Sequence, residues 1–276
     1  MAILTYNGMP IDCGGYIPPF TAQSKNWSWL RYGSNVWHTN TGRCIYSSGT
    51  THRQLSGGTW SDISASGLSS FNGSSIWTTA NHSYYSNGNT QYTVQYSFGS
   101  LSLYQKTWTG LTRFYGAYVW SDGTDIYVSD DWNASYVLNE STSTWTSKTW
   151  GGFNDISGGN VWTDGTNIYY SNGSNQYVLD KSNDTWYQKT WNGLSSFNGY
   201  NVWSLGGTIY YSDGSSHYLL DSDTSTWKRV YSDISFPGQY VWSDDGTTYV
   251  SNNYVSNLLI ANTVSSENNF IFYETT

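Results

Sequence analysis

Residues 158–186 read GGNVWTDGTNIYYSNGSNQYVLDKSNDTW. Gly158-x-x-Val161-Trp162 runs into Asp164-Gly165, a hairpin signal, because glycine accepts the positive φ of a tight turn. Ile168-Tyr169-Tyr170-Ser171 is β-branched and aromatic and reads as a strand. Asn172–Asn175 forms the next turn, Tyr177-Val178-Leu179 a third strand, and Thr185-Trp186 a fourth. The opening motif, Gly-x-x-(Val/Ile)-Trp, recurs with its Trp at Trp37, Trp77, Trp120, Trp162, Trp203 and Trp242, spaced 40, 43, 42, 41 and 39 residues. A second, outer Trp follows at Trp60, Trp145, Trp186 and Trp227, between 23 and 25 residues past its anchor. Leu103 takes that place in the second repeat, and the run Phe270-Ile271-Phe272-Tyr273 is expected to take it in the sixth.

Four short strands in a repeat of about 41 residues mark a propeller blade. One blade cannot bury both faces of its sheet, so stacking around an axis is what makes the repeat stable. The sequence therefore predicts an all-β, six-bladed propeller over residues 33–276, with four antiparallel strands per blade.

The segment Ile168–Gly173, Tyr177–Asp180 and Asn183–Trp186 resembles a kelch repeat: strand, glycine turn, Tyr-containing strand, then Thr-Trp. The resemblance spans roughly 33–274. The family's double glycine is reduced here to Asn-Gly or Asp-Gly, and its basic residue before the first strand survives only as Arg31 and Arg113. The stretch Gly-Leu-x-x-Phe-x-Gly-x-x-Val-Trp also resembles tectonin-type lectin repeats. The kelch resemblance implies that loops joining strands two and three share a face with the blade-to-blade connections. It includes a copper oxidase, whose Tyr, His and Tyr–Cys constellation is not found in this sequence.

Composition narrows the functional classes. Only 11% of residues are charged, yet 18% are aromatic, which excludes a disordered chain. No run approaches the roughly 20 apolar residues of a spanning helix, so membrane insertion is not expected. A net charge of −8 with eleven scattered basic residues offers no footprint for nucleic acid. The N-terminal decapeptide carries neither the basic region nor the apolar run of a secretory signal. Cys13 and Cys44 allow one disulfide and hold no metal-ligand spacing.

Residues 1–32 precede the repeat and contain three of the four prolines. They read as an extended arm, with Ile11, Ile17, Pro18, Pro19 and Phe20 as assembly residues docking into other virion or surface proteins. The alternative is a strap over the propeller, to which Trp27 and Trp29 add a strand.

No catalytic constellation emerges. The four histidines, His38, His52, His82 and His217, fall in different layers of the repeat, so neither metal nor cofactor is expected. Asp122, Asp164 and Asp244/Asp245 recur in the first turn, where Asp before Gly serves the turn itself; calcium is the alternative. Asp62, Asp155 and Asp233 precede the next blade, but nothing fixes the separation that a glycosidase pair needs. The blade-to-blade Leu and Phe, as in Gly193-Leu194-Ser195-Ser196-Phe197, keep a fixed distance from the anchor Trp and read as core.

The loops between strands two and three vary, and variable loops on a repeated scaffold carry specificity. Trp132, Asn133, Asn172, Asn175, Asp213 and His217 are the candidate ligand residues there. Aromatic rings stack on sugar faces, while amides and carboxylates take hydroxyls. For Trp132, local packing is the competing role. The expected function is a non-enzymatic virion structural or receptor-binding protein of a bacteriophage, in a tail, fibre or capsid-associated position. Its setting is the virion, extracellular after host lysis, and its partner a protein or a cell-surface glycan. A free lectin-like propeller and a glycan-active hydrolase are the alternatives.

Overall fold

The computed structural model describes residues 4–6, 9–11, 19–130, 134–253 and 255–261. The chain is all-β: six blades of four antiparallel strands each, in a propeller arrangement. The backbone divides into two compact units. The larger is 34–189 with 196–200; the smaller holds the described residues of 1–33, 190–195 and 201–276.

The larger unit contains the first four blades, over 36–62, 76–105, 119–148 and 161–188. Blade four shows the pattern. Val161–Thr163, Ile168–Asn172, Asn175–Asp180 and Thr185–Gln188 pair in sequence order, with Tyr170 opposite Tyr177 and Leu179 opposite Trp186. Its core joins the anchor Trp120 of blade three, Trp150 and Ile156 of the connection, and the outer Trp186. Trp77, Trp108, Phe114 and Trp145 repeat that grouping one blade earlier. Phe71, Phe114 and Phe197 are all buried, as expected of interblade core, and the Leu of each connection is half-buried.

The anchor glycine has a steric cause. A Cβ on Gly158 would overlap the carbonyl oxygen of Tyr118 and crowd the ring of Trp120. Gly73 meets Asn35 and Trp37 in the same way, and within the smaller unit Gly238 meets Asn201 and Trp203. Only glycine lets consecutive blades approach this closely. Each anchor Trp then donates its indole N–H to a serine on the second strand, at 2.8 to 3.3 Å: Ser47, Ser86, Ser129, Ser171, Ser212 and Ser251. The bond satisfies the one polar atom of a side chain that must be buried.

The smaller unit contains blades five and six. Blade five spans 202–230. Blade six is built from Val241–Asp244, Thr247–Asn252 and Val255–Ala261, and its outer strand is Phe20–Lys25 from the N-terminal side of the repeats. This corrects two expectations. Phe270–Tyr273 lies outside the described residues, and the outer position of blade six is already filled. Phe20 is not an assembly residue: it is 0% exposed and packs edge-on to Trp203 and Tyr210 at 5.3 and 5.5 Å. An arm ending at residue 32 therefore misplaces 20–25, which belong to the sixth sheet. Trp27 lies beyond that strand, its ring 5.9 Å from Trp242 and 5.1 Å from Tyr249. Of the other arm residues, Ile11 ends a two-stranded hairpin of Leu4–Tyr6 and Met9–Ile11, Pro19 is half-buried, and Ile17 and Pro18 lie outside the described residues.

Candidate ligand cleft in the fifth blade

The site begins with a polar pair repeated in every blade. The serine that receives the anchor indole faces, across the second and third strands, His52, Gln91, Ser135, Gln176, His217 or Ser256. All six are buried. Their longer members reach the connection to the next blade. Gln91 donates to the carbonyls of Gly88 and Phe114 at 2.6 and 3.3 Å, and Gln176 to those of Gly173 and Phe197 at 2.6 and 3.2 Å. His52 and His217 do the same through Nε2, to Ser69 and Ile234 at 3.1 and 2.9 Å. In blades one, two, four and five these ties hold the strand-two/strand-three loop against the following connection. Phe71 and Phe197 add backbone bonds to the carbonyls of Gly49 and Gly173. The expected common face of loops and connections is thus hydrogen-bonded together.

His217 accordingly changes role. At 3% exposure it is a tie among Phe20 and Phe236, ring centroids 5.6 and 4.8 Å away, and it also lines a cleft in this blade. Burial lowers its pKa below the ordinary 6.5, against the opposing pull of the Ile234 bond and of Asp213. His52 is lowered by burial in the same way.

The other candidate residues separate. Asn172 and Asn175 are exposed and face each other across a turn, with Asn172 donating to the Tyr170 hydroxyl at 3.3 Å. Asp213 is exposed, but its Oδ1 accepts the backbone N–H groups of Ser215 and Ser216 at 2.8 Å each. Those bonds hold its carboxyl below the ordinary range, although its partial burial works the other way. Trp132 and Asn133 lie outside the described residues. In the first turns, Asp122 and Asp164 accept N–H groups of their own loops, which agrees with the turn reading of Asp-Gly.

The structure adds what sequence reasoning missed. A cleft of about 590 Å³ opens in the fifth blade, lined by residues 215–217 and 229–235, His217 and Ile234 among them. A second, of about 350 Å³, shares Ile234 and Ser235 with it and is lined further by Phe236, Val250, Asn252 and Val255. Both flank residues 231–236, and the cause is visible in the chain. Thirteen positions separate outer Trp145 from Gly158, but eleven separate Trp227 from Gly238. The short connection also lacks the Trp-x-Gly segment present as Trp108–Gly110, Trp150–Gly152 and Trp191–Gly193. Elsewhere that segment bridges to the next outer strand, as Gly151 does to Thr185. On the outer strand of blade six, Ala22 stands opposite Leu259, the register that Trp186 holds opposite Leu179. Two indole-sized groups are therefore missing from this part of the molecule, and Phe20 replaces one of them. Tyr231, at 60% exposure, stands at the cleft's rim.

No family model matches the chain. No curated protein matches it either. Solved structures do resemble it. The extracellular domain of a hybrid two-component system from B. thetaiotaomicron is 10% identical, with 84% of this chain aligned to 34% of that one at a TM-score of 0.52. The shared feature is the fold. BBS1N, solved with ARL6DN, aligns 89% of this chain with 97% of its own at 9% identity and a TM-score of 0.49. Virginiamycin B lyase of Staphylococcus aureus aligns 81% with 78% at 12% identity and a TM-score of 0.44. This propeller spans about a third of the length of the two-component protein's domain. Among the described residues, no helix is long and apolar enough to cross a membrane.

Proposed function

We propose that this chain is a non-enzymatic, kelch-like propeller that binds a cell-surface glycan in the cleft of blade five. Its setting is a bacteriophage virion, where it acts as a receptor-binding protein. The cleft carries the reading. Its wall combines four serine hydroxyls, an exposed phenol ring, one carboxylate and one guanidinium. A sugar presents alternating hydroxyls and a C–H face, so it needs short polar groups around an aromatic platform. Tyr231 supplies the platform; Ser215, Ser216, Ser232, Ser235 and Asp233 supply the hydroxyl partners. The Lys-poor surface, rich in Ser, Thr, Asn and Tyr, supports a site of action outside the cell.

A glycan array probed with the full chain tests this reading, followed by mass spectrometry of each bound sugar after incubation. Binding of at least one glycan that is recovered intact is expected. An array without any binder removes the glycan, and a shortened or desaturated sugar removes the word non-enzymatic.

A further inference from the structure

We infer that His217 is an acid-sensitive latch on the cleft, which closes the connection 231–236 at neutral pH and releases it on acidification. Three hydrogen bonds fix the latch. Trp203 donates its indole N–H to Ser212 Oγ at 2.8 Å. The Ser212 hydroxyl must therefore spend its own proton on His217 Nδ1, 2.7 Å away. That leaves the ring proton on Nε2, where it meets the carbonyl of Ile234 at 2.9 Å. The neutral ring satisfies every partner.

A second proton does not fit this network. Protonation of Nδ1 would turn the Ser212 hydroxyl from donor into double acceptor and leave its hydrogen without a partner. The imidazolium would also sit between Phe20 and Phe236. A buried charge is costly, the pull of Asp213 offsets that cost only in part, and the ring gains most by reaching water. The charged groups around it do not prevent this. Asp213, at the head of the same hairpin, has Oδ1 committed to the N–H groups of Ser215 and Ser216. Asp233 lies on the connection and Arg229 on the outer strand of blade five, both lining the cleft. From the N-terminal strand, the ring of Phe20 packs edge-on to the His217 ring. His217 and Ile234 line the cleft together, so movement of the connection carrying Ile234 exposes the ring to the water of the cleft. Opening of the latch stands on this geometry alone. Release of a bound sugar rests on the glycan reading above.

Blades two and four supply the control. Gln91 and Gln176 occupy the same register and make the same tie without a titrating group. His217→Gln is thus a substitution the fold already uses twice. Hydrogen exchange of the amides in 231–236 is followed between about pH 7 and about pH 5, corrected for intrinsic rates. In the natural chain, protection of this segment is expected to fall as pH drops, by no more than about tenfold per pH unit, as one proton dictates. His217→Gln is expected to abolish that fall, and His52→Gln to leave it unchanged. Equal protection at both pH values, or an equal loss in His217→Gln, overturns the latch. If His217→Gln does not fold, NMR titration of the His217 ring decides. A ring that stays neutral while protection is lost overturns the idea; coincident transitions support it. A working latch in a chain that binds no array glycan would leave the latch standing and remove the sugar.

Discussion

The connection entering blade four and the connection entering blade six solve the same problem with different material. The first carries Trp150, Phe153 and Ile156 and meets the outer Trp186, with the Trp150 ring 5.6 Å from Trp120. The second is two residues shorter, carries no Trp, and meets a strand whose equivalent position is Ala22. Phe20 restores part of the lost volume, and the remainder is open as two clefts flanking 231–236. Regular blades are thus stabilised by indoles packed tilted or edge-on against one another, while the irregular one trades packing for an accessible, hydroxyl-lined surface. A repeat protein can gain a site by subtracting a side chain as well as by decorating a loop.

The largest effects should come from the side chains that fill each version of this core. Phe20→Ala and Trp186→Ala each empty a fully buried site, and each should cost about 3–5 kcal/mol in chemical denaturation. If Phe20→Ala costs no more than a surface substitution, the N-terminal strand does not close blade six and the comparison fails. Next come the serines under the anchor indoles. Ser171→Ala leaves the Trp162 N–H buried and unpartnered, at about 1–3 kcal/mol. Ser212→Ala should cost more than Ser171→Ala, because it also removes the partner of His217 Nδ1. Equal losses would mean that the polar pair in blade five carries nothing extra.

A smaller effect follows from acid. His52 and His217 hold protons more weakly folded than unfolded, so below 6.5 the unfolded chain takes up protons first. Stability should be intact above pH 6.5 and decline as pH falls toward the folded-state values. Thermal melts of the natural chain and of a His52→Gln, His217→Gln double variant check the sign. The double variant should lose less on acidification. The smallest effect on stability belongs to Tyr231→Ala, at the exposed rim, which should stay within about 0.5 kcal/mol of the natural chain. The same change should weaken glycan binding by about tenfold, or ~1.4 kcal/mol, so the two measurements together separate a platform from a packing residue.

Much of the fold was legible because the repeat imposes it. The six anchors, the outer Trp series with Leu103 as its variant, and the buried connection residues Phe71, Phe114 and Phe197 all stand where their spacing put them. The outer strand of blade six was not legible. FTAQSK carries no Trp at the register position, and its partner strand lies more than 230 residues away in the chain, so no local period marks it. The role of His217 was hidden for another reason. Its place beside a polar loop suggested a ligand, whereas its register beneath Trp203 also buries it as a tie to Ile234. The available signal was the recurrence of His, Gln or Ser opposite the indole-binding serine in each blade. The cleft itself was written as a difference in length, eleven positions against thirteen, in a connection whose Phe236 otherwise looked regular.

The irregular connection, rather than any regular loop, is the surface we propose for binding. Hydrogen exchange of the full chain, with and without the strongest binder from the glycan array, tests it most directly. Added protection confined to 215–217 and 229–235 is the predicted result. Protection that appears instead at 172–176, with 229–235 unchanged, would contradict it.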